Sequence, residues 1–127
     1  MLGRMAPTTQ VRITSHGKSR NFIAFVAQTL TAEGDDHVVV LTATGRSVAK
    51  AISVVEVTKT LVPGLHQLNE LSQDEAPSDG AEMDEEDEAH RRSQSKLIIS
   101  LSKSASALGQ PTTHYGYQPP LTTVPSV

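Results

Sequence analysis

Two short stretches hold the residues of this chain best suited to bind a ligand: Gly17-Lys18-Ser19-Arg20-Asn21 and Thr44-Gly45-Arg46-Ser47. Each joins a glycine to one or two cations, and each lies where a helix is expected to begin. A helix N-terminus exposes unsatisfied N–H groups and the positive end of the helix dipole, so phosphate is stabilised there. Lysine adds a point charge, and arginine adds a planar fork that meets a phosphate with two parallel hydrogen bonds. Arg12, just upstream, and Lys50, one turn into the second expected helix, could extend the same patch. Residue types alone leave two readings open: a phosphate-binding track, or solubilising charge at two ordinary turns.

Enzyme chemistry finds no support. His16, His37, His66, His90 and His114 are scattered, with no H-E-x-x-H or other ligand spacing, and neither G-x-S-x-G nor a Walker-type loop occurs. There is no cysteine, which excludes disulfides, thiolate metal sites and cysteine nucleophiles and fits a reducing compartment. Nine of the 14 acidic residues fall between Asp74 and Glu88, a low-complexity stretch that cannot hold two carboxylates rigidly enough for acid–base work. No catalytic residue, cofactor or metal site is therefore expected.

That acidic stretch also distorts the charge balance. The chain as a whole carries −3, yet without the stretch 11 basic residues face five acidic ones, a balance of +6. A basic body is what a polyanion partner needs. The run Asp84 to Glu88 itself reads as solvated charge, with nucleic-acid mimicry or contact with a basic protein as alternatives. With 127 residues and 37% hydrophobic composition, the chain has room for one domain. No apolar run suits a membrane span, and Met1 to Gln10 lacks the apolar stretch of a secretory signal, so an intracellular protein with no membrane partner is expected.

The elements that must position the two loops follow from periodicity. Val11, Ile13 and Ser15 alternate with polar residues as a short strand. Ser19 or Asn21 is expected to cap a first helix whose stripe is Phe22, Phe25, Val26 and Leu30, stopped by Gly34. His37 to Leu41 is a continuous apolar run, the pattern of a strand covered on both faces. A second helix ends at Val62-Pro63-Gly64 and carries two stripes: Val48, Ala51, Ile52, Val55 and Val62, then Val54, Val57 and Leu61. The second stripe is either part of one wide buried face or a surface for a partner subunit. Leu65 to Leu71 reads as a third strand with Leu65, Leu68 and Leu71 in imperfect alternation, and Lys96 to Leu101 as a fourth. Residues 72–94 between them are expected to be a disordered acidic loop joining antiparallel strands.

The order β-α-β-α-β-β implies an α/β two-layer sandwich: a four-stranded mixed sheet with both helices on one face. The domain is expected over residues 10–103, with an N-terminal tail at 1–9 and an extended Pro/Thr-rich tail at 104–127. That last tail holds both tyrosines, in Tyr115-Gly116-Tyr117-Gln118, which reads as a contact (stacking on bases or docking in a groove) or as filler.

Gly-Lys-x-x-Asn before the first helix and Thr-Gly-Arg-x-x-x-Lys-Ala opening the second resemble the Alba family of nucleic-acid-binding proteins over about Val11 to Ser102. Pro63-Gly64-Leu65-His66-Gln67, Leu101-Ser102-Lys103 and Gly116-Tyr117-Gln118-Pro119-Pro120 look closer to the larger Alba-type subunit of eukaryotic ribonuclease P and RNase MRP. The resemblance implies binding to a stem of the ribonuclease P or MRP RNA, in tRNA and rRNA processing, as a heterodimer with a second Alba-type subunit among other ribonucleoprotein subunits. It implies a nuclear, nucleolar location. RNA contacts would fall on Lys18, Arg20, Asn21, Gly45 and Arg46, with Arg12, Ser19 and Lys50 beside them, and the dimer face on Val54, Val57 and Leu61. Archaeal members commonly have paired lysines where this chain has Lys18-Ser19, and the acidic loop lies outside the core pattern. Both departures count against a general chromatin protein. The alternatives are a general Alba-type binder of messenger RNA or chromatin, and a protein-recruiting scaffold.

Overall fold

The computed structural model describes residues 6–74, 94–109 and 115–121. The elements run β1 (Thr8–Arg12), α1 (Ser19–Ala32), β2 (Val38–Thr44), α2 (Ser47–Leu61), β3 (His66–Asp74), β4 (Gln94–Ser102), a short 3-10 turn (Ala105–Leu108) and β5 (Tyr117–Gln118). They form one sheet in the order β1-β2-β4-β3-β5. β1 and β2 are parallel, and β4 is antiparallel to both β2 and β3. The α/β class and the helix-on-sheet plan agree with the sequence reading, but the sheet has five strands where four were expected.

Burial alternates along most of the central strands, apart from the paired end where Val38 and Ser102 are buried too. Val39, Leu41 and Ala43 of β2 and Leu97, Ile99 and Leu101 of β4 are buried, while Val40, Thr42, Ile98 and Ser100 between them are only half-buried. Period-2 geometry thus sends one set of side chains toward the helices and the other to an open face. In the run His37 to Leu41, expected to be covered on both faces, His37, Val38, Val39 and Leu41 are buried and only Val40 is half-buried. Val26 and Leu30 of α1, Ala51, Val54 and Val55 of α2, and Leu65 complete the core.

Several details depart from the periodicity reading. β1 starts upstream of the expected strand, because Thr8-Thr9-Gln10 pairs with Val38-Val39-Val40 although it has no apolar alternation. Ile13 lies beyond the strand yet is buried and donates its N–H to Thr42 O at 2.9 Å. In α1, Phe25 is 49% exposed. Leu71 is 73% exposed, because β3 runs out past the cover of the helices, and Gln67 takes the buried place on that strand. The tail is not simply extended, since it supplies both the 3-10 turn and β5. The acidic segment from Glu75 to Ser93 lies outside the described residues. Among the described residues, no helix is long and apolar enough to cross a membrane.

Candidate nucleic-acid interface

Because β1 and β2 are parallel, their carboxyl ends lie at the same end of the sheet. The chain leaves β1 through a loop into α1 and leaves β2 through Gly45-Arg46 into α2, so both helix N-termini open at that end. In open α/β sheets this is the end where ligands bind.

Among the described residues, no side chain caps either N-terminus. The residue before α1 is Lys18, in extended conformation (φ −82°, ψ 132°), and no side chain caps the helix. Ser19 and Asn21 do not cap it, which corrects the expectation for both. Ser19 already lies within the helix, and the Asn21 N–H bonds back to Lys18 O at 3.0 Å. The N-cap of α2 is Arg46 (φ −61°, ψ −24°), again without a side-chain cap. Neither helix has an acidic residue in its first turn. Two positive dipole ends therefore stand beside Lys18, Arg20 and Arg46, with no acidic side chain in either first turn. Gly45 has φ +53°, a conformation that strains any other residue, and it makes the tight turn that sets Arg46 at the helix start. Its N–H bonds to Ser95 O at 2.9 Å, tying the turn to β4.

Arg12, Lys18, Ser19, Arg20, Asn21, Gly45 and Arg46 are all exposed. Lys50 is different. Its ammonium donates to Thr14 O (2.8 Å), Ser15 O (3.4 Å) and Gly17 O, and it lies 5.4 Å from the centroid of the Phe22 ring. An ammonium has three N–H donors, and these three carbonyls occupy them. Lys50 thus grips the loop before α1 from beneath, a positioning role, and does not extend the exposed patch. Lys96 is a further cation at this end, brought here by strand pairing, which its place in the sequence does not announce. It faces Thr44 across the β2–β4 ladder, and with Gln10, Arg12, Thr42 and Thr44 it lines a shallow hollow of about 380 Å³.

The expected dimer face divides. Val54 is fully buried in the chain's own core, which corrects its assignment to a partner surface. At 3.6 residues per turn it falls in the same arc as the buried Ala51, Val55 and Thr58. Val57 (43%) and Leu61 (60%) remain exposed, one turn apart on one side of α2. Ile52, assigned by periodicity to the packing stripe, is 47% exposed. Leu61 lies nine positions further on, about half a turn around the helix, so the two are on different flanks. In the tail, Tyr115 is fully exposed while Tyr117 stacks on His66, with ring centroids 6.0 Å apart.

A protein-family model described as Alba matches residues 9–75. The chain is 38% identical over 64 residues to "Ribonuclease P protein subunit p25-like protein" of Mus musculus, covering 50% of this chain and 39% of that protein. The same figures hold for the Homo sapiens protein of that name. The matched region spans about two fifths of the length of these relatives. Among solved structures, "Alba from Thermoplasma volcanium" superposes with a TM-score of 0.57 at 17% identity, covering 74% of this chain and 99% of that one. This likeness carries the fold.

Proposed function

The chain belongs to the Alba family, and from that premise we propose that it is a non-catalytic RNA-binding subunit of ribonuclease P or RNase MRP. Alba-type nucleic-acid binding follows from the family. The finer reading draws on the printed name of the relatives and on one observation: two uncapped helix N-termini open at one end of the sheet beside Lys18, Arg20 and Arg46. Their exposure at one end of the sheet leaves them open to the phosphates of a folded stem. The backbone N–H groups meet the oxygens, and the exposed cations displace counterions. In this reading Val57 and Leu61 carry a second Alba-type subunit, and the complex works in the nucleus and nucleolus.

Two experiments test the reading. RNA copurified with the tagged full chain should be dominated by the ribonuclease P or MRP RNA; mixed messages, DNA or no nucleic acid would overturn the assignment. Arg46→Glu should weaken binding to the stem by more than about tenfold and lower the salt slope by about 1 or more, because a phosphate contact is lost and a repulsive charge replaces it. Unchanged affinity and slope would remove Arg46 from the interface.

A further inference from the structure

We propose that the outer edge of β3 is a sequence-specific receptor for a Gly-Tyr-Gln segment. Its occupant is the chain's own residues 116–118, which cover the Gln67–Asn69 stretch of that edge against strand addition by other chains. The proposal is independent of the nucleic-acid reading.

Two segments of the chain lie outside the RNA-binding site: Gly64-Leu65-His66-Gln67 and Gly116-Tyr117-Gln118-Pro119-Pro120. Some fifty residues apart in the chain, they are the two halves of one contact. β5 pairs with β3 so that Gln118 faces Gln67 and Tyr117 faces Leu68, and the Asn69 N–H donates to Gly116 O at 2.9 Å.

A backbone ladder alone would accept almost any strand. Four further features make this edge selective. A Cβ on residue 116 would overlap the backbone carbonyl of Asn69, so only glycine fits. The Asn69 side chain donates a second hydrogen bond to Gly116 O (3.1 Å), and its orientation is fixed because its Oδ1 accepts from Gln67 Nε2 at 2.8 Å. The Tyr117 ring stacks on His66 at 20° between planes, with its hydroxyl 2.8 Å from His66 Nδ1. On the opposite sheet face, Gln118 Oε1 accepts from the buried Lys59 at 3.3 Å. The segment is therefore read from both faces, as added strands are recognised elsewhere: main-chain bonds hold it, and alternate side chains select it. Tyr115, two residues away, is fully exposed, so aromatic character alone does not dock the tail. Pro119 and Pro120 have no N–H to continue the ladder, which limits β5 to two residues. Without this cover, β3 would present unpaired N–H and C=O groups, a template for another chain.

Gly116→Val in the full-length chain tests the proposal. Amide hydrogen exchange at Asn69 should accelerate by at least about tenfold while Val39, at the sheet centre, keeps its protection. Light scattering should show concentration-dependent self-association. Adding a peptide of residues 115–121 should restore Asn69 protection and reverse the association, and the same peptide carrying Gly116→Val should do neither. Tyr117→Ala introduces no clash and should give the same pattern if the valine also disturbs the fold. Unchanged Asn69 exchange in both variants, equal rescue by both peptides, or variants that stay as dispersed as the parent chain would each overturn it.

Discussion

Helix α2 carries one inward-turned lysine near its start and another near its end, and the two are held in opposite ways. Lys50 is half-buried and spends its donors on three backbone carbonyls of the loop before α1. Lys59 is buried and is held by side chains, Glu56 Oε2 at 2.8 Å and Gln118 Oε1 at 3.3 Å. The first joins the two loops that carry the exposed cations. The second joins the helix to the tail strand, on the side of α2 roughly opposite the exposed Val57 and Leu61. Main-chain acceptors are present in any sequence, so the grip at the start depends only on the lysine. The grip at the end depends on both partners, and a change in either one can release it.

The largest effect expected along this helix separates core from surface. Val54→Asp places a carboxylate in the core and should cost at least about 4 kcal/mol of stability, enough to unfold a marginal domain. Leu61→Asp, less than two turns away, should change folding stability by less than about 0.5 kcal/mol in chemical denaturation. It should nonetheless abolish copurification with a second Alba-type subunit. If the two variants have similar denaturation midpoints, or Leu61→Asp still brings down its partner, the division of the helix into core and partner face is wrong.

A smaller effect is expected at the start of the helix. Lys50→Met keeps the side-chain stem under Phe22 and removes the donor from Thr14, Ser15 and Gly17. Water can reach those carbonyls, so the loss should be about 1 kcal/mol, or about fivefold in RNA affinity through a loosened loop. The dependence of affinity on salt separates the two roles open to this lysine. A positioning residue leaves the salt slope unchanged, whereas a phosphate contact lowers it by about 1. A lowered slope would return Lys50 to the exposed patch.

Much of this architecture is legible in the residues. Helical spacing reveals α1 and α2, and the Gly-Lys and Gly-Arg turns mark both loops at the open end of the sheet. Other features have no local signal. Lys50 looks like one more surface cation because its acceptors are carbonyls, which no pattern of side chains announces. Val54 and Val57 are three positions apart, and only the packing of Ala51, Val55 and Thr58 decides which of them is buried. β5 is two residues long, too short for any periodicity, and its partner strand lies far away in sequence. β1 is polar where it pairs, so alternation moved the expected strand toward the buried Ile13. Of the tail's two tyrosines only Tyr117 makes a contact, and which of them stacks on His66 depends on register.

The smallest effect expected is at Lys59. Lys59→Met removes a buried ammonium and keeps an unbranched chain of similar length. Glu56 is 55% exposed at its side chain, so water can replace the lost partner, and the desolvation cost of the ammonium disappears. Folding stability should therefore change by no more than about 1 kcal/mol, in either direction. Glu56→Gln is the more damaging change of the pair, because it leaves the ammonium buried with only neutral oxygens. Lys59→Met should still release Gln118 and raise exchange at Asn69 by a few-fold, less than Gly116→Val does, because the backbone bond and the Tyr117–His66 stack remain. Thermal unfolding gives the order of the two variants, and amide exchange gives the release. If Lys59→Met proves the more destabilising, the ion pair itself holds that end of α2, and the contrast between the two lysines disappears.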